Sequence, residues 1–229
     1  MSEVPATRTP LTRDATAVAL VPAYVRVFGV PPDRNRAELL LAQVWLENAN
    51  GLSIIDHNIG NLTTKPSSGA DYWRPPWFDR AAIDALPDGD PNKARYLMLN
   101  DRMERNAAPE AFRAFDSFDQ GFDAWLRLLG SPAKRSILSA ASSGDAEAFA
   151  KAIFETGYCP DPECKSAGPS YARLRDQIRA ASYFDELEPQ KKKVAAGPPG
   201  LWFWCWGRLL SRRISGHDSG AGALLTGEP

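Results

Sequence analysis

The sequence predicts a mainly α-helical domain with a small irregular lobe placed after a buried central helix. Three observations predict it. Residues 36–47, RAELLLAQVWLE, are apolar around most of a helical circumference, as a core helix requires. The second half of the chain carries a series of amphipathic segments bounded by helix start and stop residues. Between the two, from Asn48 to about Pro91, Gly, Pro, Asn, Asp and Ser interrupt every apolar run. Pieces such as LSII and DYW remain, which allow a small hairpin at most.

The elements follow in order. Residues 1–13 read as a disordered lead, and 14–29 as an apolar helix bent at Pro22. Residues 30–35 form a turn whose Asp33 or Asn35 can cap the central helix. Helix returns at 92–105. In 117–130, Ser117 and Gln120 have capping-box spacing, Phe122, Trp125, Leu126 and Leu129 share one face, and Gly130 supplies the stop. Ser131-Pro132 starts the next helix, with proline in its first turn, through about Ala141. Asp145 opens another that ends at Gly157. Residues 169–184 close the set, with Tyr171, Leu174 and Ile178 on one face. The domain therefore spans 14–184. A linker follows at 185–200, then an aromatic and basic segment at 201–229 that begins LWFWCWGRLLSRR.

The totals narrow the function. A chain of 229 residues with 44% hydrophobic and 24% charged content holds one domain with a real core. A net charge of −1 and no basic stripe argue against a nucleic-acid binder. Three cysteines do not make a disulfide framework, although Cys159 and Cys164 in CPDPEC can pair outside the cytoplasm. His57 and His217 are the only histidines, too few for a zinc site with these cysteines, and neither a metal nor another cofactor is expected. The segment 201–213 is too short to span a bilayer. It suits a membrane surface or a partner groove, or folds back as a latch over an apolar patch.

The chemistry centres on Glu47, an acid at the end of the apolar helix that faces the polar loop His57-Asn58-Ile59-Gly60-Asn61. Apolar neighbours such as Trp45 and Leu46 disfavour its charge, so it can keep a proton near neutral pH and act as a general acid toward a glycosidic oxygen. Asn58 and Asn61 either hydrogen-bond sugar hydroxyl and acetamido groups or make tight turns, with a positive φ expected at Gly60. His57 is read as structural.

LLLAQVWLENANG and HNIGNL together resemble the helix, acid and loop of the lysozyme-like N-acetylglucosaminidases, glycoside hydrolase family 73, which includes the muramidase domain of flagellar peptidoglycan hydrolases and many phage lysins. FRAFDSFDQGFDAWLRLL (112–129) is similar to that family's Phe-Arg element and following helix. Residues 143–178 are similar to its closing segment, with the Gly157-Tyr158 turn and Tyr171. The resemblance implies a lysozyme-like fold, peptidoglycan glycan strands as substrate, Glu47 as general acid and Tyr158 as a groove tyrosine beside it. The family's second acid, in a Thr-x-Glu-Tyr-like stretch, has no counterpart in RYLMLNDRMERNAAPEAFR. Asp71, Asp79, Asp101 and Glu104 are the alternatives. Asp71 is preferred because Tyr72 and Trp73 adjoin it, and with Trp77 they can line a sugar groove. The substrate's own acetamido group is another route. No signal peptide is visible, so the expectation is delivery to the wall by phage lysis, a virion or another system.

Overall fold

The computed structural model describes residues 2–64, 68–105 and 111–187, and of 102–105 the backbone alone. These residues form, almost entirely, the unit Met1–Asp185. They are mainly helical with one small antiparallel sheet. The linker and aromatic segment expected at 185–200 and 201–229 lie outside the described residues, apart from 185–187.

Helix α1, Arg13–Phe28, is capped by Thr12, whose Oγ1 accepts from Ala15 N at 3.1 Å, and it runs on through Pro22. Helix α2, Arg34–Glu47, is capped by Asp33, whose Oδ1 accepts from Arg36 N at 2.9 Å. Its buried residues run without a break from Ala37 to Trp45. That matches its sequence: with no polar stripe, α2 is walled on several sides. Those walls are α1, α6 (Arg135–Ser143) and α9 (Gly168–Ala180). The buried run includes a second acid. Glu38 is 1% exposed and receives Arg34 Nε at 2.8 Å and Arg179 Nε of α9 at 2.7 Å. Both of its oxygens are thus paired, as a buried carboxylate requires.

The lobe differs from the hairpin expected of it. Strands β1, Thr63–Thr64, and β2, Tyr72–Trp73, do not pair with each other. Each pairs with β3, Ala111–Arg113, which arrives only after α3 (Arg80–Asp84) and α4 (Lys93–Arg105). Phe112 is opposite Thr63 on one side and Trp73 on the other. The Trp73 ring stacks on Phe112 at 4.9 Å, and Phe78 stacks on it at 5.6 Å, giving the lobe an aromatic core.

Residues 2–12 are not a disordered lead. Val4 N donates to Tyr72 O at 2.9 Å, and Glu3 forms a parallel bridge with Tyr72. Farther on, Thr9 N donates to Ile54 O and Leu11 N to Gly51 O, at 2.9 and 3.0 Å. The segment covers the outer edge of β2, which would otherwise present unpaired backbone groups. Alternating polar composition hid this, because the bonds are made by backbone rather than side chains.

The remaining helices are α5 (Phe118–Gly130), α7 (Ala146–Glu155) and a short α8 (Pro162–Lys165). Ser117 caps α5 by accepting from Gln120 N, while Gln120 Oε1 accepts from Asp116 N, one residue earlier than a capping box would have it. Pro132 lies in a turn, and α6 starts three residues later than expected. Helix α9 ends at Ala180 rather than 184. Cys159 and Cys164 form a disulfide, with Cα atoms 6.1 Å apart, that closes the turn between α7 and α8. Replacing both cysteines by serine is expected to destabilise the fold by about 2 kcal/mol, the loop-entropy value for so short a ring, measured as a shift in the urea midpoint at constant m.

Candidate active site

Glu47 ends α2 and is half-buried. Its position at the helix C-terminus places it by carbonyl groups that α2 leaves without helical partners, which disfavours negative charge there. Burial acts in the same direction and more strongly. It raises the carboxyl from its ordinary 4.5 to about 7, against hydrogen bonds from Gln43 and Asn61 that favour the charged form. Gln43 Nε2 donates to Glu47 Oε1 at 3.2 Å from one turn earlier on the same face. Asn61 reaches Glu47 from the loop and is itself exposed.

The walls of the site differ from those expected. Leu46 is exposed and Trp45 turns away: Arg13 lies 4.5 Å over its ring and Tyr183 meets it edge-on at 5.9 Å. The groups that feel Glu47 electrostatically are Tyr158 and Tyr171, whose hydroxyls are pushed up first by burial and then by the nearby carboxylate. Both therefore stay neutral across the working pH range.

The loop after Glu47 is held by three contacts. Asn48 Nδ2 donates to Val44 O and to Ile59 O, at 3.1 and 2.6 Å. Asn58 is 2% exposed, its Nδ2 donates to Leu62 O and Arg113 O, and its Oδ1 accepts from Leu62 N. With its amide committed and buried, Asn58 braces the start of β1 against β3. Tyr158 donates its hydroxyl proton to Gly60 O at 2.8 Å and accepts from Trp125 Nε1 at 3.0 Å. Through this relay Tyr158 ties the loop at Gly60 to α5.

Gly60 is needed for proximity and not for a positive φ. A Cβ there would lie 2.2 Å from Trp125 Cδ1. The left-handed positions are instead Asp56, His57 and Asn61, at φ 46, 57 and 49°. His57 is structural, as expected. Its Nδ1 sits 2.8 Å from Phe115 O, an acceptor, so Nδ1 carries the proton.

Asp71, Asp79 and Asp101 have partners away from α2. Asp71 receives Ser2 N on Oδ1 at 2.9 Å, and β2 lies two strand spacings, about 9.6 Å, from β1. Asp79 caps α3 through Ala82 N, and Asp101 pairs with Arg80 at 2.9 Å. The Glu104 side chain lies outside the described residues. Among the described residues, no carboxylate contributes to the shift at Glu47. Trp73 is 7% exposed and belongs to the lobe core. Trp77 packs on Phe78 and Tyr96, and Tyr72 lies under Arg74 at 5.5 Å. Of the residues expected to touch substrate, Asn61 is the one placed against the acid. Gln43 was missed, although its spacing of four from Glu47 on one helix face was a readable signal.

No protein-family model matches the chain, and no curated protein does. Two solved structures are similar. The peptidoglycan hydrolase from Sphingomonas sp. A1 is 24% identical with a TM-score of 0.44, over 82% of this chain and 99% of that chain. A mutant of the peptidoglycan hydrolase from Sphingomonas sp. A1 gives 24% and 0.44 over 74% and 97%.

The raised carboxyl makes a stability prediction. Between pH 4.5 and about 7 the folded chain keeps a proton on Glu47 that the unfolded chain has released, so stability falls as pH rises through that window and levels off above it. Glu47→Gln removes this fall. Relative to the parent, the variant is expected to gain about 3 kcal/mol between pH 4 and pH 8, read from urea unfolding at both values.

Proposed function

We propose that this protein is a peptidoglycan hydrolase that cleaves β-1,4 bonds between amino sugars, first of all as an endo-β-N-acetylglucosaminidase, with Glu47 as general acid. The observation that carries the reading is a carboxyl group raised to about 7, half-buried, held by Gln43 and faced by the exposed Asn61. A proton held at neutral pH beside an accessible polar group is what departure of a sugar alkoxide requires. The resemblance of 39–62, 112–129 and 143–178 to the lysozyme-like N-acetylglucosaminidases supports the same chemistry.

Among the described residues the site offers one carboxyl group, and the proposed steps use one. Glu47 gives its proton to the glycosidic oxygen as the C1–O bond breaks and its electron pair passes to that oxygen. The acetamido carbonyl oxygen of the same sugar bonds to C1 and takes up the positive charge. Glu47, now a carboxylate, withdraws a proton from the water that attacks C1 and releases the acetamido group. Attack by a hydroxyl of the sugar itself would instead give an anhydro end, the lytic transglycosylase outcome. Asn61 is proposed to hold the acetamido or a neighbouring hydroxyl group. The disulfide at Cys159–Cys164 suits action outside a reducing cytoplasm, at the cell wall, with delivery by phage lysis, a virion or another export route.

One observation favours a second reading. With no second carboxylate at Glu47 among the described residues, the fold can serve as a wall-binding or virion component that does not cut. Digestion of purified peptidoglycan with mass spectrometry of the released fragments separates the two. Reducing N-acetylglucosamine ends from the parent, and a rate at least about 100-fold lower from Glu47→Gln, are expected. Reducing N-acetylmuramic acid ends would make it a muramidase and anhydro ends a transglycosylase. Binding with no fragments on several wall types would replace the enzyme by the binding module.

A further inference from the structure

We propose that Gln43 is a positioning residue for Glu47, retained for its hydrogen bond to the acid and not for the stability of the core. This deepens the proposed function and rests on Glu47 being the acid of the site.

Gln43 is an anomaly in its helix. Gln43 is 1% exposed in the middle of α2, between Ala42 and Val44, which are also buried. Its amide has a donor side and an acceptor side. The donor, Nε2, is 3.2 Å from Glu47 Oε1. The acceptor, Oε1, is buried without a hydrogen-bond partner. A buried carbonyl oxygen with no partner destabilises a fold, and an apolar side chain of the same length would avoid that penalty. Leu39, Leu40 and Leu41 show that α2 accepts apolar residues freely along this stretch. What glutamine supplies, and methionine or leucine cannot, is an N–H directed at the carboxyl group.

The bond has two consequences for the acid. It fixes one carboxylate oxygen, Oε1, against α2. It also favours the charged form, opposing burial. Asn61 acts in the same direction, and among the described residues Tyr158 and Tyr171 are the titratable groups that feel Glu47 from outside α2, both neutral in this range. Glu38, the other acid of α2, is neutralised by Arg34 and Arg179. Gln43 therefore keeps the proton of Glu47 transferable near pH 7 and keeps it pointed at substrate.

The test uses Gln43→Met and Gln43→Leu in the full chain, with glutamate carboxyl groups labelled with 13C and the Glu47 signal assigned by its loss in Glu47→Gln. Glu47 is expected to titrate near 7 in the parent and about half to one unit higher in both variants. Melting temperatures at pH 5.5, where Glu47 is protonated, are expected to match or exceed the parent's. On peptidoglycan, kcat is expected to fall about tenfold with KM unchanged, and the alkaline limb of the pH profile to move up with the titration. An unmoved Glu47 titration in a folded variant would overturn the proposal, as would loss of the fold in both variants, which would make Gln43 structural. If the titration moves but the parent cuts no glycan, the coupling stands and the hydrolase reading fails.

Discussion

The structure turns on the partial burial of one carboxyl group at the C-terminal end of α2. Burial at the carbonyl end of the helix disfavours its charge. Among the described residues no cation balances it. The contrast with Glu38 on the same helix is instructive. Nine residues nearer the N-terminus, a more deeply buried carboxylate is paired with two arginines, one of α2 and one of α9. One acid is a clamp and the other a proton store, and the difference lies in which neighbours carry charge.

Holding such an acid in place needs a rigid surround, because a mobile loop would admit water and let the carboxyl group return to its ordinary range. The surround is assembled from distant parts of the chain. Trp125 of α5 and Tyr158 after α7 fix Gly60 through one relay of hydrogen bonds. Asn48 ties the helix end to Ile59, and Asn58 ties the loop to β3. The N-terminal segment closes the far side by donating from Thr9 N to Ile54 O and from Thr7 N to Asp56 Oδ1. Tyr158 immediately precedes the disulfide, which confines the turn that carries it. Apart from the one between Asn48 and Ile59, these ties are long-range in sequence, so the loop geometry depends on the folding of distant elements.

That dependence explains what the sequence made legible. Helices announce themselves locally, and Thr12, Asp33, Ser117 and Asp145 cap them with ordinary chemistry. The raised carboxyl group of Glu47 was legible too, because an acid at the end of an apolar helix is a local conflict between charge and burial. The central strand β3 was not, since a three-residue strand has no periodicity and its partners lie about 40 and 50 residues away. Asn58 and Asn61 illustrate the limit. They are the same residue type three positions apart in one loop, yet one is sealed inside by backbone partners and the other stands beside the acid. Side-chain type specifies hydrogen-bonding capacity, and only the fold decides where that capacity is used.

The absence of a second carboxylate around Glu47, among the described residues, bears on how such a site can work. A carboxylate close by would raise the proton affinity of Glu47 further by like-charge repulsion. Here burial alone suffices, opposed by two amides, and the acid settles at about 7. An acid poised there is half-ionised at neutral pH, so the same group can give a proton in one step and take one back in the next. That symmetry suits a mechanism in which the substrate supplies its own nucleophile and the protein supplies one reversible proton site. It also shifts the demand for precision from a pair of acids onto the orientation of one. The amides of Gln43 and Asn61, one from the helix and one from the loop, are placed to provide that orientation from two sides.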